Sequence, residues 1–188
     1  LFGGERLAER AARALVGACP LAIEVGPGWS RLPALRESPP DQGPLCAVVA
    51  GCSALRARGH FGPVVVLAVD LPQVTTELLT FLARHPGTGS IVPLVEGRPQ
   101  PLCARYSPEA LSLAGELVAA GARSMLALLE RVEVLWLFED RWQSVASRSA
   151  LDDVDRPEDL ATARRLLSTP HLEHPTRWSS GGEMIGRP

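Results

Sequence analysis

The stretch Pro63-Val64-Val65-Val66-Leu67-Ala68-Val69-Asp70-Leu71-Pro72 decides the fold. Its apolar run is β-branched, too short for a helix, and apolar at odd and even positions alike. That pattern belongs to a strand buried on both faces, as in the middle of a parallel sheet. Pro72 has no N–H to give a ladder, so the strand must stop at Asp70. The sequence therefore predicts a central parallel strand over 63–69 with a carboxylate at its carboxyl end.

Helical and strand-like segments alternate on either side. Downstream, Thr75 or Thr76 can cap a helix to about residue 84. Segments 90–95 and 100–106 are two strands joined by the turn Glu96-Gly97-Arg98-Pro99. Pro108 starts a helix that Gly121 ends, Ser124 opens a shorter helix over 125–131, and 132–138 is a strand. After an extended piece at 151–155, a last helix spans 157–167, with Pro157 first and Glu158 and Asp159 in its opening turn. Upstream, Leu7, Ala8, Ala11, Ala12, Leu15 and Val16 stripe a helix over 5–16 that Gly17 should stop. Residues 21–25 are a short strand. Segment 26–41 carries Pro27, Pro33, Pro39 and Pro40 and is expected to be a loop. Helix 45–58 then shows Leu45, Val48, Val49, Cys52 and Leu55 on one face. Strands alternating with helices imply a parallel sheet covered on both faces, and the central hairpin makes that sheet mixed. One domain over 1–167 is expected. The composition then turns to Pro, His, Ser and Gly, so 168–188 is expected to be a poorly ordered tail.

Composition narrows the function. Hydrophobic residues are 46% and charged residues 21% of the 188, a globular balance. A net charge of −2 gives no electrostatic footprint for nucleic acid. No segment approaches the roughly 20 apolar residues of a membrane span. The start carries Glu5 and Glu9 where a secretory leader needs an apolar run, so a cytoplasmic location is expected. Cys19, Cys46, Cys52 and Cys103 form no CxxC pair and are expected to be reduced thiols. The chain has no lysine.

Ligands of open α/β sheets bind beyond the carboxyl ends of the strands, which is where Asp70 falls. A carboxylate there suits Mg²⁺, or it caps the next helix. Asp41-Gln42-Gly43-Pro44-Leu45 enters a helix whose free N–H groups can hold phosphate or a base edge, with Gly43 allowing close approach. An ordinary turn with a solvated Asp41 is the other reading. Asp152, Asp153 and Asp155 precede the last helix, and either offset its dipole or face Asp70 across a metal. Arg98, Gln100 and Arg123 could meet an anionic substrate or simply face water. His171 and His174 lack a third ligand placed by structure and are rejected as a metal site.

Taken together, Gly43-Pro44-Leu45, Asp70-Leu71-Pro72, the run Gly97-Arg98-Pro99-Gln100-Pro101-Leu102-Cys103-Ala104, Gly121-Ala122-Arg123-Ser124 and Asp155-Arg156-Pro157-Glu158-Asp159-Leu160 resemble the molybdenum cofactor guanylyltransferase family. The resemblance runs from Phe2 to about Leu167. It implies a three-layer α/β/α Rossmann-like nucleotidyltransferase fold with a mixed, mostly parallel sheet. It implies GTP as donor, Mo-molybdopterin as acceptor, and other molybdenum cofactor proteins as further partners. It also implies Mg²⁺ on Asp70 as the catalytic metal ligand. Asp41, Gly43, Gln100, Arg123, Asp153 and Asp155 would hold the substrates. Asp153 and Asp155 stand where the family often has asparagine.

The same family opens with a strand and a glycine-rich phosphate loop ahead of a Phe-Gly-Gly-like segment. Here the chain starts at Leu1, so a truncated product with little turnover of its own is expected. The alternatives are a cytidylyltransferase or other nucleotidyltransferase, and a non-catalytic remnant or adaptor of the same fold.

Overall fold

Small apolar residues at helical spacing build the first helix, α1 (Leu7–Ala18), whose buried face is Ala11, Ala12 and Ala14. The computed structural model describes residues 4–37 and 39–154. Gly17, expected to stop this helix, lies inside it. Helix α3 (Thr76–Arg84) supplies the reason. A Cβ on Gly17 would stand 2.7 Å from Thr76 Cγ2 and 2.9 Å from its Oγ1. The glycine lets the two helices close on one another. Gly17→Ala would gain up to ~1 kcal/mol of helix propensity. It would also overpack a β-branched neighbour that cannot swing aside, at ~1–3 kcal/mol. The clash wins: the midpoint of thermal unfolding is expected to fall by several degrees, and Thr76→Ala in the same chain should restore most of it.

Strands β1 (Glu24–Val25) and β2 (Ala34–Leu35) form a two-stranded parallel sheet. The strand expected over 21–25 is thus confined to its last two residues, and the proline-rich loop contains a strand of its own. The Glu24 N–H reaches Pro33 O, and the Gly26 N–H reaches Leu35 O, both at 2.9 Å. Helix α2 (Pro44–Arg56) buries Leu45, Val48, Cys52 and Leu55, the face its spacing predicts.

The main sheet holds β3 (Val64–Leu67), β4 (Ser90–Val95), β5 (Arg98–Pro99), β6 (Cys103–Tyr106) and β7 (Val134–Leu137). β6 lies between β3 and β4, antiparallel to both, and β7 runs parallel to β4 on its far side. β3, β4 and β7 therefore point the same way and end at one edge. The sheet is mixed, as expected, but β3 is not the fully buried central strand that its sequence suggests. Among the described residues it pairs on one side only, and its four side chains are half-buried. The returning hairpin threads β6 between β3 and β4, so the strand beside β3 is antiparallel rather than parallel.

Helices cover both faces. Leu45, Val48 and Cys52 of α2 pack with α4 (Pro108–Ala119) and α5 (Met125–Leu129) over Val92, Ala104 and Tyr106. On the other face α1, α3 and α6 (Glu139–Trp142) enclose Ile91, Cys103 and Leu137. Caps fix the helix starts. Thr75 accepts from the Leu78 N–H at 3.3 Å, Ser107 from Ala110 at 3.1 Å and Ser124 from Leu126 at 3.1 Å. All four cysteines are free, as expected. Burial pushes the Cys103 thiol up to about 12, so it stays protonated. Asp155, the helix expected over 157–167, the tail and its histidines lie outside the described residues.

Candidate active site

The carboxyl edge of β3, β4 and β7 gathers most of the residues singled out by sequence. β3 gives way to Ala68, whose N–H donates to Leu102 O at 2.7 Å. Two residues on, half-buried Asp70 accepts a bond on its carbonyl from the Val154 N–H at 2.9 Å. That bond lays the acidic segment against the strand end, with exposed Asp152 and Asp153 immediately before it. From the other side the Arg10 guanidinium of α1 donates to Pro72 O. Burial, with the like charge of Arg13, draws the pKa of Arg10 down, while Glu5 works against them.

Gln100 reaches the same edge by an irregularity in the hairpin. Leu94 pairs with Pro99, whereas Ile91 pairs with Arg105. The returning strand thus spends six steps against three, and Gln100, Pro101 and Leu102 are pushed out. Gln100 N–H still bonds Pro93 O at 2.9 Å. The Tyr106 hydroxyl donates to Pro101 O at 2.7 Å from beneath. The single strand expected over 100–106 is therefore broken, and the break sits beside β3's end.

A second group forms where α2 begins. Asp41 is exposed and left-handed at φ 58°, a conformation Asp tolerates better than most residues. Gly43 follows at φ 93°, and a Cβ there would lie 3.1 Å from both Arg123 Cβ and Arg123 O. The Leu45 N–H donates to that same carbonyl at 3.0 Å. Glycine is needed at 43 on both counts. The Arg123 guanidinium turns back to Val118 O and Ala122 O, at 3.1 and 2.8 Å, and closes the carboxyl end of α4. Contact thus joins Gly43 to Arg123, and Asp70 to the 152–154 segment, with the Gln100–Leu102 excursion tied to the end of β3 through the Ala68 N–H on Leu102 O. Asp41 comes to the edge as the neighbour of Gly43.

Among the described residues no group of three His, Cys, Asp or Glu is placed to hold a metal. Mg²⁺ rarely needs one. It commonly takes one or two carboxylates and completes its octahedron with water and substrate phosphate. A donor set that sparse asks of the protein no more than a carboxylate such as that of Asp70.

Sequence reading missed one constructed feature. Glu24 Oε1 accepts the N–H groups of Gly28 and Trp29, and Oε2 those of Ser30 N and Oγ, at 2.6–2.8 Å. An acid just ahead of a Gly- and Pro-rich turn was the available signal. Burial alone would raise this carboxyl's pKa, but the Ser30 hydroxyl and the three N–H groups outweigh it and hold it low. A lowered folded pKa stabilises above the unfolded value, about 4.3, and the benefit disappears as pH falls through the folded one. The melting difference between wild type and Glu24→Gln is expected to be clear at pH 7 and to close below pH ~4.

Comparison with known proteins identifies the family and the fold. Residues 1–134 match the MobA-like NTP transferase domain. A probable molybdenum cofactor guanylyltransferase of Natronomonas pharaonis is 33% identical over 132 residues, 69% of this chain and 63% of that protein. One from Mycobacterium tuberculosis is 36% identical over 108 residues, 55% of this chain and 52% of that protein. The matches therefore span somewhat over half of these relatives' length. Among solved structures, molybdopterin-guanine dinucleotide biosynthesis protein A of Archaeoglobus fulgidus superposes with a TM-score of 0.57 at 28% identity, covering 67% of this chain and 63% of that one. The 2-C-methyl-D-erythritol 4-phosphate cytidylyltransferase of Thermus thermophilus shares the fold, with a TM-score of 0.61 at 17% identity, covering 90% and 92%. The chain belongs to the MobA-like NTP transferase domain family.

Proposed function

We propose that the polypeptide carrying this chain transfers GMP from GTP to Mo-molybdopterin and releases pyrophosphate, with Asp70 as the ligand of a catalytic Mg²⁺. What supports the reading is Asp70 just past the end of β3, with its carbonyl bound by the Val154 N–H so that the segment of Asp152 and Asp153 is laid against it, in a chain of this family. The chemistry joins a phosphate oxygen of the acceptor to the α-phosphorus of GTP and breaks the bond to pyrophosphate. A phosphate nucleophile needs little activation, so the protein's task is alignment and charge compensation. Bound there, Mg²⁺ would offset the charge that builds on the transferring phosphoryl group.

The remaining work falls to the chain. Asp70, held at its backbone by Val154, would supply the anionic ligand. The first N–H groups of α2 are taken, Leu45 by Arg123 O and Cys46 and Ala47 by Gly43 O, so the Gly43 turn would serve as a surface of close backbone approach, and Asp41 would accept from the exocyclic amine of guanine. Gln100, on its braced excursion, and Asp153 would face the acceptor, and Asp155, outside the described residues, is proposed as a further substrate contact. Arg123 acts through the turn it supports, since its guanidinium is occupied at α4.

The test is pyrophosphate release from GTP in the presence of Mo-molybdopterin, by protein expressed from its entire coding region. Release that depends on both substrates supports the reading. Preference for CTP would move the protein to a cytidylyltransferase role. Absence of nucleotide binding and turnover would leave an adaptor of the same fold.

A further inference from the structure

We infer that Arg148, clasped to Glu96 and Glu139, is a positioning residue that holds the segment of Asp152 and Asp153 in register with the hairpin of Gln100. This rests on the function proposed above, in which both segments face the acceptor, and adds the contact that joins them. The join begins at the hairpin tip. Val95 pairs with Arg98, so Glu96-Gly97 is a two-residue turn, left-handed at both positions with φ 51° and 73°. Asn-Gly is the favoured pair for such a turn, and a glutamate at its first position is uncommon. What the glutamate adds is reach. Its carboxylate pairs with the Arg148 guanidinium, and its N–H donates to Glu139 Oε1 at 2.8 Å. Glu139 opens α6, which is fixed to the sheet: buried Trp142 donates its indole N–H to Leu94 O at 3.1 Å.

Arg148 in turn opens a short 3-10 helix, Arg148–Leu151, whose Ala150 and Leu151 are buried in the core with Leu137 and Trp142. Asp152 and Asp153 follow at once, and the Val154 N–H then closes on Asp70 O at 2.9 Å. Both acids are therefore strung between a buried helix end and the end of β3. One 3-10 turn separates them from Arg148, about 8 Å at 2 Å per residue. On the other side of the clasp, Gln100 follows Glu96 along β5 and is held by its N–H on Pro93 O. Glu96 and Arg148 are both exposed, and an exposed pair contributes little to folding. Its loss will show in the placement of the two segments rather than in stability.

The experiment compares wild type, expressed from its entire coding region, with Glu96→Asn, Arg148→Met and Arg148→Lys. Asparagine suits the left-handed turn but is too short to reach Arg148, so Glu96→Asn should melt at or above wild type. Its KM for Mo-molybdopterin should nevertheless rise by about fivefold, the upper end of what an exposed pair is worth. Arg148→Met should raise that KM equally, and Arg148→Lys, which keeps the charge, should stay close to wild type. The KM for GTP should not move in any of them. Amide hydrogen exchange gives a readout without substrate: the Val154 N–H should exchange about fivefold faster in Glu96→Asn and Arg148→Met, with the amides of β4 unchanged. If wild type transfers nothing to Mo-molybdopterin, the proposed function falls, and Val154 exchange alone decides whether the clasp holds the segment. Val154 exchange like wild type in both variants overturns the positioning role. So does an unchanged acceptor KM with transfer intact, or an equal rise in the KM for GTP.

Discussion

Arg105→Met is expected to cost ~3 kcal/mol of folding stability, a large loss for one side chain. Arg105 stands in the middle of the sheet, opposite Val65 on one side and Ile91 on the other, and is 2% exposed. Among the described residues no carboxylate forms an ion pair with it. Its guanidinium donates to His85 O at 2.7 Å, to Gly87 O and Gly89 O at 3.0 Å, and at longer range to Ala83 O. These carbonyls close the carboxyl end of α3 and the turn into β4. The charge is thus met by the negative end of a helix and by a ring of peptide dipoles. Burial still draws its pKa down, without bringing it near neutrality for a group of this basicity. Methionine matches the stem but orphans three strong acceptors. Much of the 85–89 turn is exposed, so water can reach some of them, which holds the cost near 3 kcal/mol rather than at the full sum. Lysine should fall between, because one ammonium cannot span acceptors laid out for a planar fork. Urea unfolding of the three proteins checks the order: wild type most stable, then Arg105→Lys, then Arg105→Met. A Met variant within 0.5 kcal/mol of wild type, the usual scatter of inert substitutions, would refute the account.

Asp70→Asn carries the largest expected effect on activity. The amide keeps the shape of the side chain, and the backbone bond from Val154 does not involve the side chain. What it removes is the negative charge and one hard oxygen ligand. Even outer partners of a metal ligand are worth 10–100-fold, so kcat for pyrophosphate release should fall by about 100-fold or more. The fold should melt within a few degrees of wild type. Mg²⁺ titration adds a readout that misfolding would not mimic: the concentration for half-maximal rate should rise in Asp70→Asn. Turnover and Mg²⁺ dependence like wild type would remove Asp70 from the centre of the reaction. Asp153→Asn, on an exposed residue, is expected to act in the same direction and less strongly.

Legibility followed locality. Helix starts were readable because a cap is a property of a few neighbouring residues, and Ser124 and the Thr75–Thr76 pair stand at their helix starts. The position of Asp70 at a strand end followed from the proline two residues on. The partners of β3 were not readable, since valine runs look alike whether the next strand is parallel or returns from a hairpin. The break at Gln100–Leu102 was hidden for a related reason. It depends on the Tyr106 hydroxyl holding Pro101 O and on the Ala68 N–H, far off in sequence, holding Leu102 O, and neither bond follows from residue spacing. Arg105 was invisible because an arginine inside a strand pattern announces an exposed position, and only the end of α3 makes it an interior one. Gly17 misled in the opposite sense: a glycine near a helix end signals a stop, but here a neighbouring helix needed the room.

β3 has one further consequence. Its valines feed both cores, yet its outer rim has no strand beside it among the described residues. A row of peptide groups between two helical walls behaves as a socket for extended polypeptide of any origin, whether from elsewhere in the same translation product, from a neighbouring molecule or from added peptide. Self-association and solubility of a preparation will then report which occupant arrived first. Protein concentration during purification becomes a structural variable rather than a convenience.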